Sequence, residues 1–340
     1  MKPTVHSIAA HAGVSLATVD RVLNARPGVR AATRARVEAA VEALGFVRDV
    51  AAANLAKSRI YPFTFILPAN DNSFMRELRR QVLDAASRAG VERTRIDIVD
   101  VPAFDGAALV AALQQVAETG PAGVALVAVD APEVAEAVAQ LRQSGVPVVT
   151  LVSDLSSTER DHFAGIDNIA AGRTAASLLG RFLSGRSGSV AILAGSMLVR
   201  DHRERFEGFC AVMATEFPSL TLLPVLEGLD DPLRVEVLLR EQFASHDILG
   251  LYSLGAGNRG LVRALETLEV SKRPSVIAHE LTQTTRAALE VGLVDAVLNQ
   301  DAGHEVRSTI RVLKAKADGA AVVAAQERIR LDIFLKDNLP

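Results

Sequence analysis

Arg21 has a side chain whose chemistry suits recognition of a nucleic-acid base. Its planar guanidinium group can donate two parallel hydrogen bonds to the O6 and N7 acceptors of guanine. On the same short segment, Leu16 and Ala17 would also face base edges if that segment entered a major groove. The polar residues expected nearer to phosphates are Ser15, Thr18 and Asn24. An alternative interpretation is that Arg21 contacts only a phosphate, because many protein–DNA hydrogen bonds end on the backbone.

The carboxylate of Asp20 stands next to this arginine, which is unusual for a segment that approaches phosphates, because like charges repel. Two uses of the carboxylate are compatible with bound DNA. Asp20 could accept a hydrogen bond from the amine of cytosine, or it could orient the guanidinium of Arg21. We expect the orienting role.

Two short helices joined by a tight turn would hold these residues in place. Gly13 can take the left-handed conformation that ends the first helix, and Ser15 can cap the second by accepting a backbone N–H. The apolar positions of the two helices are Val5, Ile8, Ala9, Ala12, Val14, Val19, Val22 and Leu23. Helices of this length cannot bury a core alone, so the periodic segment 32–44 is expected to supply a third. The result is a helix-turn-helix unit of about fifty residues.

Charge is distributed unevenly along the chain. Residues 1–60 contain nine Lys or Arg and four Asp or Glu, a net charge of +5 in a chain whose total is −3. A basic head on an acidic body indicates that contact with nucleic acid is confined to the head. Cys210 is the single cysteine, so no internal disulfide can form and a reducing cytoplasm is expected. No apolar run is long enough for a membrane span, and the chain does not start with a signal-peptide core.

From residue 63 onward, short β-branched runs alternate with amphipathic helical patterns. Nine strand candidates, from 63–67 to 294–299, alternate with nine helix candidates, from 74–89 to 304–317. This alternation predicts parallel sheets covered by helices on both faces. Nine units exceed one ordinary sheet, and a break near 163–168 divides them. The predicted fold class is an all-α helix-turn-helix head followed by an α/β body of two doubly wound parallel-sheet lobes.

The chain resembles the lactose-repressor (LacI/GalR) family of transcription regulators from its head to its last strand. The motif that carries the resemblance is Ala12-Gly13-Val14-Ser15, Thr18-Val19 and Arg21-Val22-Leu23-Asn24, followed by Thr33-Arg34, Val37 and Leu44-Gly45-Phe46. The family usually has Ser at the position of Asp20, so the operator sequence does not transfer. The resemblance implies a DNA-binding domain at 1–48 and a hinge helix within 49–60, with Leu55 wedged between base pairs in the minor groove. A wedge from each of two subunits implies a homodimer on a near-palindromic double-stranded operator.

The body, 61–340, resembles the type I periplasmic sugar-binding fold, in which two lobes joined by three crossovers hold a ligand between them. The implied lobes are 61–168 with 300–326, and 169–299 with 327–340. The ligand-binding positions carried over from that family are Asn72, Phe74, Asp130, Ser153, Asp154, Asp167, Arg203, Ser253, Glu280 and Gln300. Carboxylates, amides and an arginine suit the hydroxyls of a sugar or polyol. Three of these residues, Asn72, Asp154 and Asp167, could equally cap the helices that follow them.

A second motif is typical of a different class of protein. Gly255, Gly257 and Gly260 have the spacing G-x-G-x-x-G after a predicted strand, with Glu280 about 20 residues beyond, as in an NAD-type dinucleotide-binding enzyme. Against that interpretation, such glycines can simply allow close approach of the backbone, and the seven histidines form no catalytic or metal-binding pattern. A further alternative is a cytoplasmic sugar-binding protein that retains an idle DNA-binding head.

The sequence favours a ligand-responsive transcription regulator, a sequence-specific repressor that acts as a homodimer in the cytoplasm. Its partners would be operator DNA and a sugar-like effector, with no cofactor, metal or catalytic residue. Effector binding in the cleft would change the relation between the two subunits' lobes nearest the DNA-binding heads. Release of the operator and promotion of its binding are both compatible with the sequence.

Overall fold

The computed structural model describes residues 3–24, 26–46, 59–70, 72–88, 90, 93–255 and 257–340. The chain divides into two compact units, Met1–Arg59 and Ile60–Pro340. The expected hinge helix at 50–56, with Leu55, lies outside the described residues.

The first unit contains three short helices, α1 Val5–Ala12, α2 Leu16–Leu23 and α3 Ala31–Ala43. Gly13 follows α1 in the left-handed conformation, with φ at 60°. Ser15 caps α2 by accepting the backbone N–H of Thr18 at 3.2 Å. Both roles confirm the sequence-based prediction. The buried core of this unit is Ile8, Ala9, Ala12, Val19, Val22, Val37 and Ala40. One face of α2 is therefore fixed by packing, and the opposite face is available to solvent.

The second unit contains two lobes, each built on a sheet. The strands of the first lobe are β1 Tyr61–Pro68, β2 Thr94–Val101, β3 Gly123–Leu126, β4 Val148–Leu151 and β5 His162–Ala164. They are all parallel and lie in the order β2-β1-β3-β4-β5. The helices between them are α4 Ser73–Ser87, α5 Gly106–Glu118 and α6 Pro132–Gln143. Central strands such as β3 are buried along their whole length, as expected for a parallel sheet covered on both faces.

The second lobe has six strands, β6 Gly188–Ala194, β7 Leu220–Glu227, β8 Ile248–Ser253, β9 Ser275–His279, β10 Ala296–Asn299 and β11 Asp332–Phe334. They lie in the order β11-β10-β9-β8-β6-β7, and β11 alone is antiparallel to its neighbour. The remaining α-helices are α7 Asn168–Phe182, α8 Arg200–Glu216, α9 Pro232–Ser245, α10 Asn258–Glu266, α11 Gln283–Glu290, α12 Ala302–Ala317 and α13 Ala324–Glu327. Two 3₁₀ turns, Val270–Lys272 and Lys336–Asn338, complete the described elements.

The chain passes between the two lobes three times. After β5 it enters the second lobe at α7, and after β10 it returns to the first lobe as α12, which packs against α4. Val306, Ile310 and Leu313 of α12 are buried in the core of the first lobe. The last segment crosses again, because β11 pairs with β10. The cleft between the lobes is thus bordered by three connecting segments.

All nine predicted strands are present, whereas β5 and β11 are absent from the sequence-based prediction. Each has only three residues and lies at the edge of its sheet. A strand of that length is too short to show the alternation of apolar and polar residues by which strands are recognised. Its pairing depends on the neighbour that tertiary folding brings beside it.

Helices α7 and α8 approach each other closely at two glycines. A Cβ atom on Gly172 would lie 1.9 Å from the carbonyl oxygen of Arg205, and one on Gly208 would lie 2.1 Å from the carbonyl oxygen of Ile169. Any side chain at either position would push the helices apart. Because Gly208 is one turn from Arg205, this contact also determines where the first turns of α8 lie.

Replacement of Gly208 by alanine is expected to destabilise the larger unit by about 1–3 kcal/mol, the usual cost of inserting a methyl group into a packed contact. Calorimetric unfolding of the full chain would measure the change. Glu207→Ala is the matched control, because Glu207 is exposed on the same helix and its truncation opens no packed contact. Equal melting temperatures for the wild-type protein and Gly208→Ala would contradict the close-contact interpretation.

Candidate functional site

The solvent-facing side of α2 contains the residues expected to face base edges. Leu16, Ala17, Asp20 and Arg21 are all exposed, and Leu16 is 42% exposed although it is apolar. Ser15 and Thr18 lie beside them, with their hydroxyl oxygens 2.9 Å apart. Since Leu16 and Ala17 offer only apolar contacts, Arg21 has the largest set of hydrogen-bond donors on this face.

Asp20 has different partners from the one expected. Its Oδ1 accepts a hydrogen bond from the side-chain amide of Asn24 at 2.7 Å, and its Oδ2 lies 3.3 Å from the guanidinium of Arg26. The expectation that Asp20 orients Arg21 is therefore corrected. The physical reason is helical geometry, because residues four apart lie on one face whereas adjacent residues diverge. Asn24 also donates to the backbone carbonyl of Asp20 at 2.7 Å, so its amide is engaged within the helix end.

The second candidate site is a cavity between the two lobes of the larger unit. Its volume, counted out to its mouth, is about 680 Å³. It lies at the carboxyl ends of the strands, where open α/β sheets bind their ligands. The wall from the first lobe is mainly apolar and includes Phe74, Val101, Phe104, Leu109, Val127 and Val152. The wall from the second lobe is mainly polar and consists of Val199, Asp201, His202, Arg205, Asp230, Gly255 and Glu280.

The first turns of α8 supply the basic group of this polar wall. Arg205 is only 1% exposed, and its Nε donates to Oδ1 of Asn168 at 2.8 Å. One terminal nitrogen donates to the carbonyl oxygen of Leu254 at 2.6 Å. The other terminal nitrogen has no hydrogen-bond partner among the described residues and lies 3.6 Å from a carboxylate oxygen of Glu280. The guanidinium is thus held rigidly, with donors left for a bound molecule.

Glu280 faces Arg205 from the loop after β9. Its backbone has φ at 70°, in the left-handed region that side chains other than glycine seldom occupy. Oε1 accepts from the side-chain amide of Gln300 at 2.9 Å, whereas Oε2 is buried without a partner among the described residues. Burial raises the pKa of Glu280 to about 7, although the charge of Arg205 opposes that change. A carboxyl group with a strained backbone and one unsatisfied oxygen in a cavity is typical of a ligand-binding position.

The ten expected ligand-binding residues divide into two groups. Those that line the cavity are Asn72, Phe74, Ser153 and Glu280. Those that do not are Asp130, Asp154, Asp167, Arg203, Ser253 and Gln300. Asn72 also caps α4 by accepting the N–H of Phe74 at 2.8 Å, so the capping and lining roles coexist.

Several residues of the second group have structural partners that explain their position. Asp154 is buried against Arg160, with 2.6 Å between charged atoms, and Asp167 caps α7. The hydroxyl of Ser253 donates to the side chain of Asn258 at 2.9 Å. Gln300 lies behind the cavity wall, where it contacts Glu280 as described above.

Arg203 and Asp130 form an ion pair with each other across the cleft. Arg203 also donates to the carbonyl oxygens of Met197 and Leu198, at 3.1 and 3.0 Å. Asp130 belongs to the first lobe and Arg203 to the second, so the pair joins the lobes beside the cavity instead of lining it. Sequence reasoning expected ligand contact from this arginine, whereas the structure brings Arg205 to the cavity.

The polar and charged residues that sequence reasoning missed are Asn70, Asp105, Asp201, His202, Arg205 and Asp230. A signal for three of them was available in the helical period of α8. Its buried positions Gly208, Phe209, Val212 and Met213, extended backward by four and seven residues, reach Arg205, Asp201 and His202. Asn70 and Asp230 lie in loops without periodicity, and only folding brings Asn70 Nδ2 within 2.8 Å of Asp230 Oδ2.

The glycines of the G-x-G-x-x-G motif each have a packing reason. A Cβ atom on Gly255 would lie 2.7 Å from the guanidinium of Arg205. On Gly260 it would lie 2.2 Å from the carbonyl oxygen of Pro232, and on Gly257 it would lie 2.5 Å from Val235. The glycines thus let α10 pack on α9 and let the loop approach the cavity, as the alternative of close backbone approach predicted.

The pKa of Glu280 predicts a pH dependence of stability. Because its pKa is about 7 in the folded chain and 4.5 is the ordinary value, folding favours the protonated form, and stability is lost as the pH rises between those values. Burial raises the pKa values of Asp230 and Glu305 too, which acts in the same direction. We expect the unliganded full chain to melt at a lower temperature at about pH 8 than at about pH 5.5, with Glu280 contributing on the order of 2 kcal/mol over that interval. Glu280→Gln should flatten this dependence, and an unchanged pH profile in that variant would refute the assignment.

Two further classes of feature are absent from the described part of the chain. No helix there is both long and apolar enough to cross a membrane. The same residues contain no group of three or more His, Cys, Asp or Glu placed to hold a metal ion.

Known regulators resemble parts of this chain. Residues 4–49 match the family described as bacterial regulatory proteins, lacI family. Catabolite control protein A of Priestia megaterium is 37% identical over 87 residues, which are 26% of each chain. The HTH-type transcriptional regulator MalR of Streptomyces coelicolor is 33% identical over 174 residues, 50% of this chain and 48% of that protein. The chain thus spans between a quarter and a half of the length of these curated relatives.

The larger unit is similar to a second family and to solved structures. Residues 63–321 match the periplasmic binding protein domain. A solved glucose-galactose binding protein, GanP from Geobacillus stearothermophilus, superposes with a TM-score of 0.73 at 18% identity, covering 83% of this chain and 99% of that one. The two-lobe fold predicted from the sequence is confirmed. The chain belongs to the family described as periplasmic binding protein domain, over residues 63–321, and its residues 4–49 match the bacterial regulatory proteins of the lacI family.

Proposed function

We propose that the protein is a transcription regulator that binds DNA through α2 and a small sugar-like ligand through the cavity of its larger unit. The observation that carries the proposal is the presence, in one chain, of an exposed helix-turn-helix face and an interlobe cavity with partly unsatisfied polar groups. The relatives named as transcriptional regulators support the first half. GanP, named as a glucose-galactose binding protein, supports the choice of a sugar for the second.

Ligand binding would act on the relation between the two lobes. Three contacts join the lobes beside the cavity: Asn70 with Asp230, Asp130 with Arg203, and the guanidinium of Arg200 with the carbonyl oxygen of Leu155. A ligand held between the walls would strengthen the closed arrangement that these contacts define, whereas loss of ligand would favour opening. The change in lobe orientation would then be transmitted to the DNA-binding units.

The regulator would act in the cytoplasm as a repressor. A homodimer would place two copies of α2 on successive half-sites of a near-palindromic operator, about one helical turn apart. The hinge residue Leu55 is proposed to wedge into the minor groove between the half-sites. No chemical step or cofactor is part of this proposal.

DNA binding by the full chain tests the first half of the proposal. An operator would be selected from a random pool of duplexes, and its affinity measured by fluorescence anisotropy at several salt concentrations. A functional DNA-binding unit should bind the selected duplex with an affinity about a thousandfold or more higher than its affinity for a scrambled duplex. The affinity should fall steeply as the salt concentration rises. Equal affinity for both duplexes would instead identify the head as idle.

The second half of the proposal is tested by ligand binding and by its effect on operator affinity. Neutral sugars and polyols would first be screened for thermal stabilisation of the full chain, since a ligand at about 100 times its dissociation constant adds roughly 2.7 kcal/mol. Any stabilising sugar should then change the operator affinity in the anisotropy assay. A sugar that binds without changing operator affinity would contradict the coupling.

A further inference from the structure

The polar groups of the cavity are unbalanced in favour of hydrogen-bond acceptors. Oδ1 of Asp201, Oε2 of Glu280 and Oδ1 of Asn70 are all buried without a hydrogen-bond partner among the described residues. The unpartnered donors of the cavity wall are one terminal nitrogen of Arg205 and the hydroxyl of Ser153, which can also accept. A molecule that satisfies this wall must therefore donate more hydrogen bonds than it accepts.

The cavity wall also contains more acidic than basic side chains. Four carboxyl groups line the cavity, those of Asp105, Asp201, Asp230 and Glu280. Arg205 is the one arginine that lines it, and no lysine does so among the described residues. The nearby guanidinium groups of Arg200 and Arg203 are engaged by Glu204 and Asp130. Burial raises the pKa values of Glu280 and Asp230 and so disfavours their ionised forms. A bound cation would stabilise the ionised carboxylates, whereas a bound anion would destabilise them further.

A further carboxyl group lies behind this wall. Glu305, on α12 of the first lobe, is fully buried, and neither of its oxygens has a hydrogen-bond partner among the described residues. Its pKa is raised well above the ordinary value, first by burial and then by Glu280. The Coulombic effect of Asp201 reaches both Glu280 and Glu305. The like-charge repulsion in this region is opposed by Arg205 and by the imidazole of His202, whose Nε2 lies 3.8 Å from Oδ2 of Asp201.

The opposite wall limits the shape of the ligand. Val101, Phe104, Leu109, Val127 and Val152 offer only apolar contacts and suit a carbon skeleton. They offer no donor that would hold a phosphate or a carboxylate. The polar residues of this wall are Asn70, Asn72, Asp105 and Ser153, and none of them is a cation, so an anionic group of the ligand would have to face Arg205 of the second lobe.

We propose that the ligand of this cavity carries a protonated amine in addition to hydroxyl groups, with the amine placed against the carboxylates of Asp201 and Glu280. Its class is that of amino sugars and amino polyols, and sugar phosphates and sugar acids are excluded. The inference depends on the proposed ligand-binding function and narrows it. Asp201 sets the specificity for charge, whereas Arg205 and Ser153 engage hydroxyl oxygens.

Calorimetric titration of the full chain with matched pairs tests the proposal. The probes are D-glucosamine, D-galactosamine, D-mannosamine and 1-amino-1-deoxysorbitol, each beside its parent hydroxyl compound, its N-acetyl form and the available 6-phosphate or uronic acid. At least one amine should bind about tenfold or more tightly than its parent, and N-acetylation should remove that gain. Equal or tighter binding of every parent, binding of an anion, or no binding by any amine in the panel would each overturn the proposal.

A nearly isosteric substitution of Asp201 tests whether this residue provides the preference for an amine. Asp201→Asn should weaken binding of the preferred amine about tenfold or more while changing the affinity for its parent by less than about threefold. Asp167→Asn is the control, because Asp167 is exposed and caps α7 outside the cavity. An equal loss for amine and parent in Asp201→Asn would show that Asp201 does not select charge.

The operator assay separates this inference from the proposed function. If a neutral sugar or an anion binds and changes operator affinity, the chain is a ligand-responsive regulator and the amine inference is wrong. If an amine binds as expected without changing operator affinity, the amine inference stands and the regulatory coupling fails.

Discussion

Replacement of Arg205 by alanine is expected to abolish sugar binding in the cleft and to lower the free energy of unfolding by about 3–5 kcal/mol. Arg205 is fully buried and donates to Asn168 and Leu254 while facing Glu280. Its loss leaves a buried carboxyl group without its opposing charge and a carbonyl oxygen without its donor. The same change removes the donor that remains for the ligand.

Two measurements separate these effects of Arg205. Calorimetric unfolding of the full chain reports stability, and titration with the sugar that most stabilises the wild-type protein reports binding. Arg205→Lys keeps the charge but loses the planar arrangement of donors, so it should retain more stability than Arg205→Ala and still bind weakly. That variant keeps the test informative if Arg205→Ala does not fold.

Arg203→Ala is the matched control, because Arg203 lies two residues away on α8 and is partly exposed. It should retain sugar binding within about tenfold, since it removes an interlobe ion pair and no contact with the cavity. Abolished binding in Arg203→Ala together with normal binding in Arg205→Ala would restore the sequence-based expectation and refute the structural assignment.

Replacement of Arg21 by alanine is expected to weaken binding to the selected operator by about 1–3 kcal/mol, roughly 5- to 150-fold. The reason is that the exposed face of α2 has few other donors, since Leu16 and Ala17 are apolar and the amide of Asn24 is engaged by Asp20. Anisotropy titration with the operator and with single-base variants would measure both affinity and specificity. Loss of discrimination at one base pair would identify the base that Arg21 contacts.

The competing interpretation of Arg21 has a different signature. If the guanidinium contacts only a phosphate, Arg21→Ala should weaken binding to all duplexes alike and reduce the salt slope by about one. Arg26→Ala is the charge-matched control, because this substitution also removes one positive charge. Arg26 lies beyond the end of α2, where its guanidinium is paired with Asp20. An equal effect of both variants on every duplex would exclude base recognition by Arg21.

Much of the fold follows from local pattern. The nine predicted strands and the helices between them are present, because each has enough residues to show its own period and buries a continuous apolar face. The predicted helices 74–89 and 304–317 are present as α4 Ser73–Ser87 and α12 Ala302–Ala317, with ends within two residues of those predicted. The strands β5 and β11 escaped prediction, because three residues carry no period and their edge pairings depend on distant segments.

The candidate site was only partly predictable. Glu280 and Phe74 follow strands, and the rule that ligands bind at the carboxyl ends of parallel strands placed them correctly in the cavity. Asp154 and Asp167 follow strands just as closely, yet their side chains turn to Arg160 and to the backbone of α7. Position after a strand therefore identifies the loop but leaves the direction of the side chain open.

By itself, the sequence determined the helix-turn-helix head and the two-lobe α/β body, because periodicity and motif spacing are local properties of the chain. The tertiary structure decided which arginine of α8 enters the cavity. The backbone contacts at Gly172 and Gly208 set the rotation of α8 against α7, so that Arg205 points inward and Arg203 reaches across to Asp130. The apolar period of α8 indicates which of its positions are buried, whereas what that buried face contacts depends on the packing of two helices, which neither helix encodes alone.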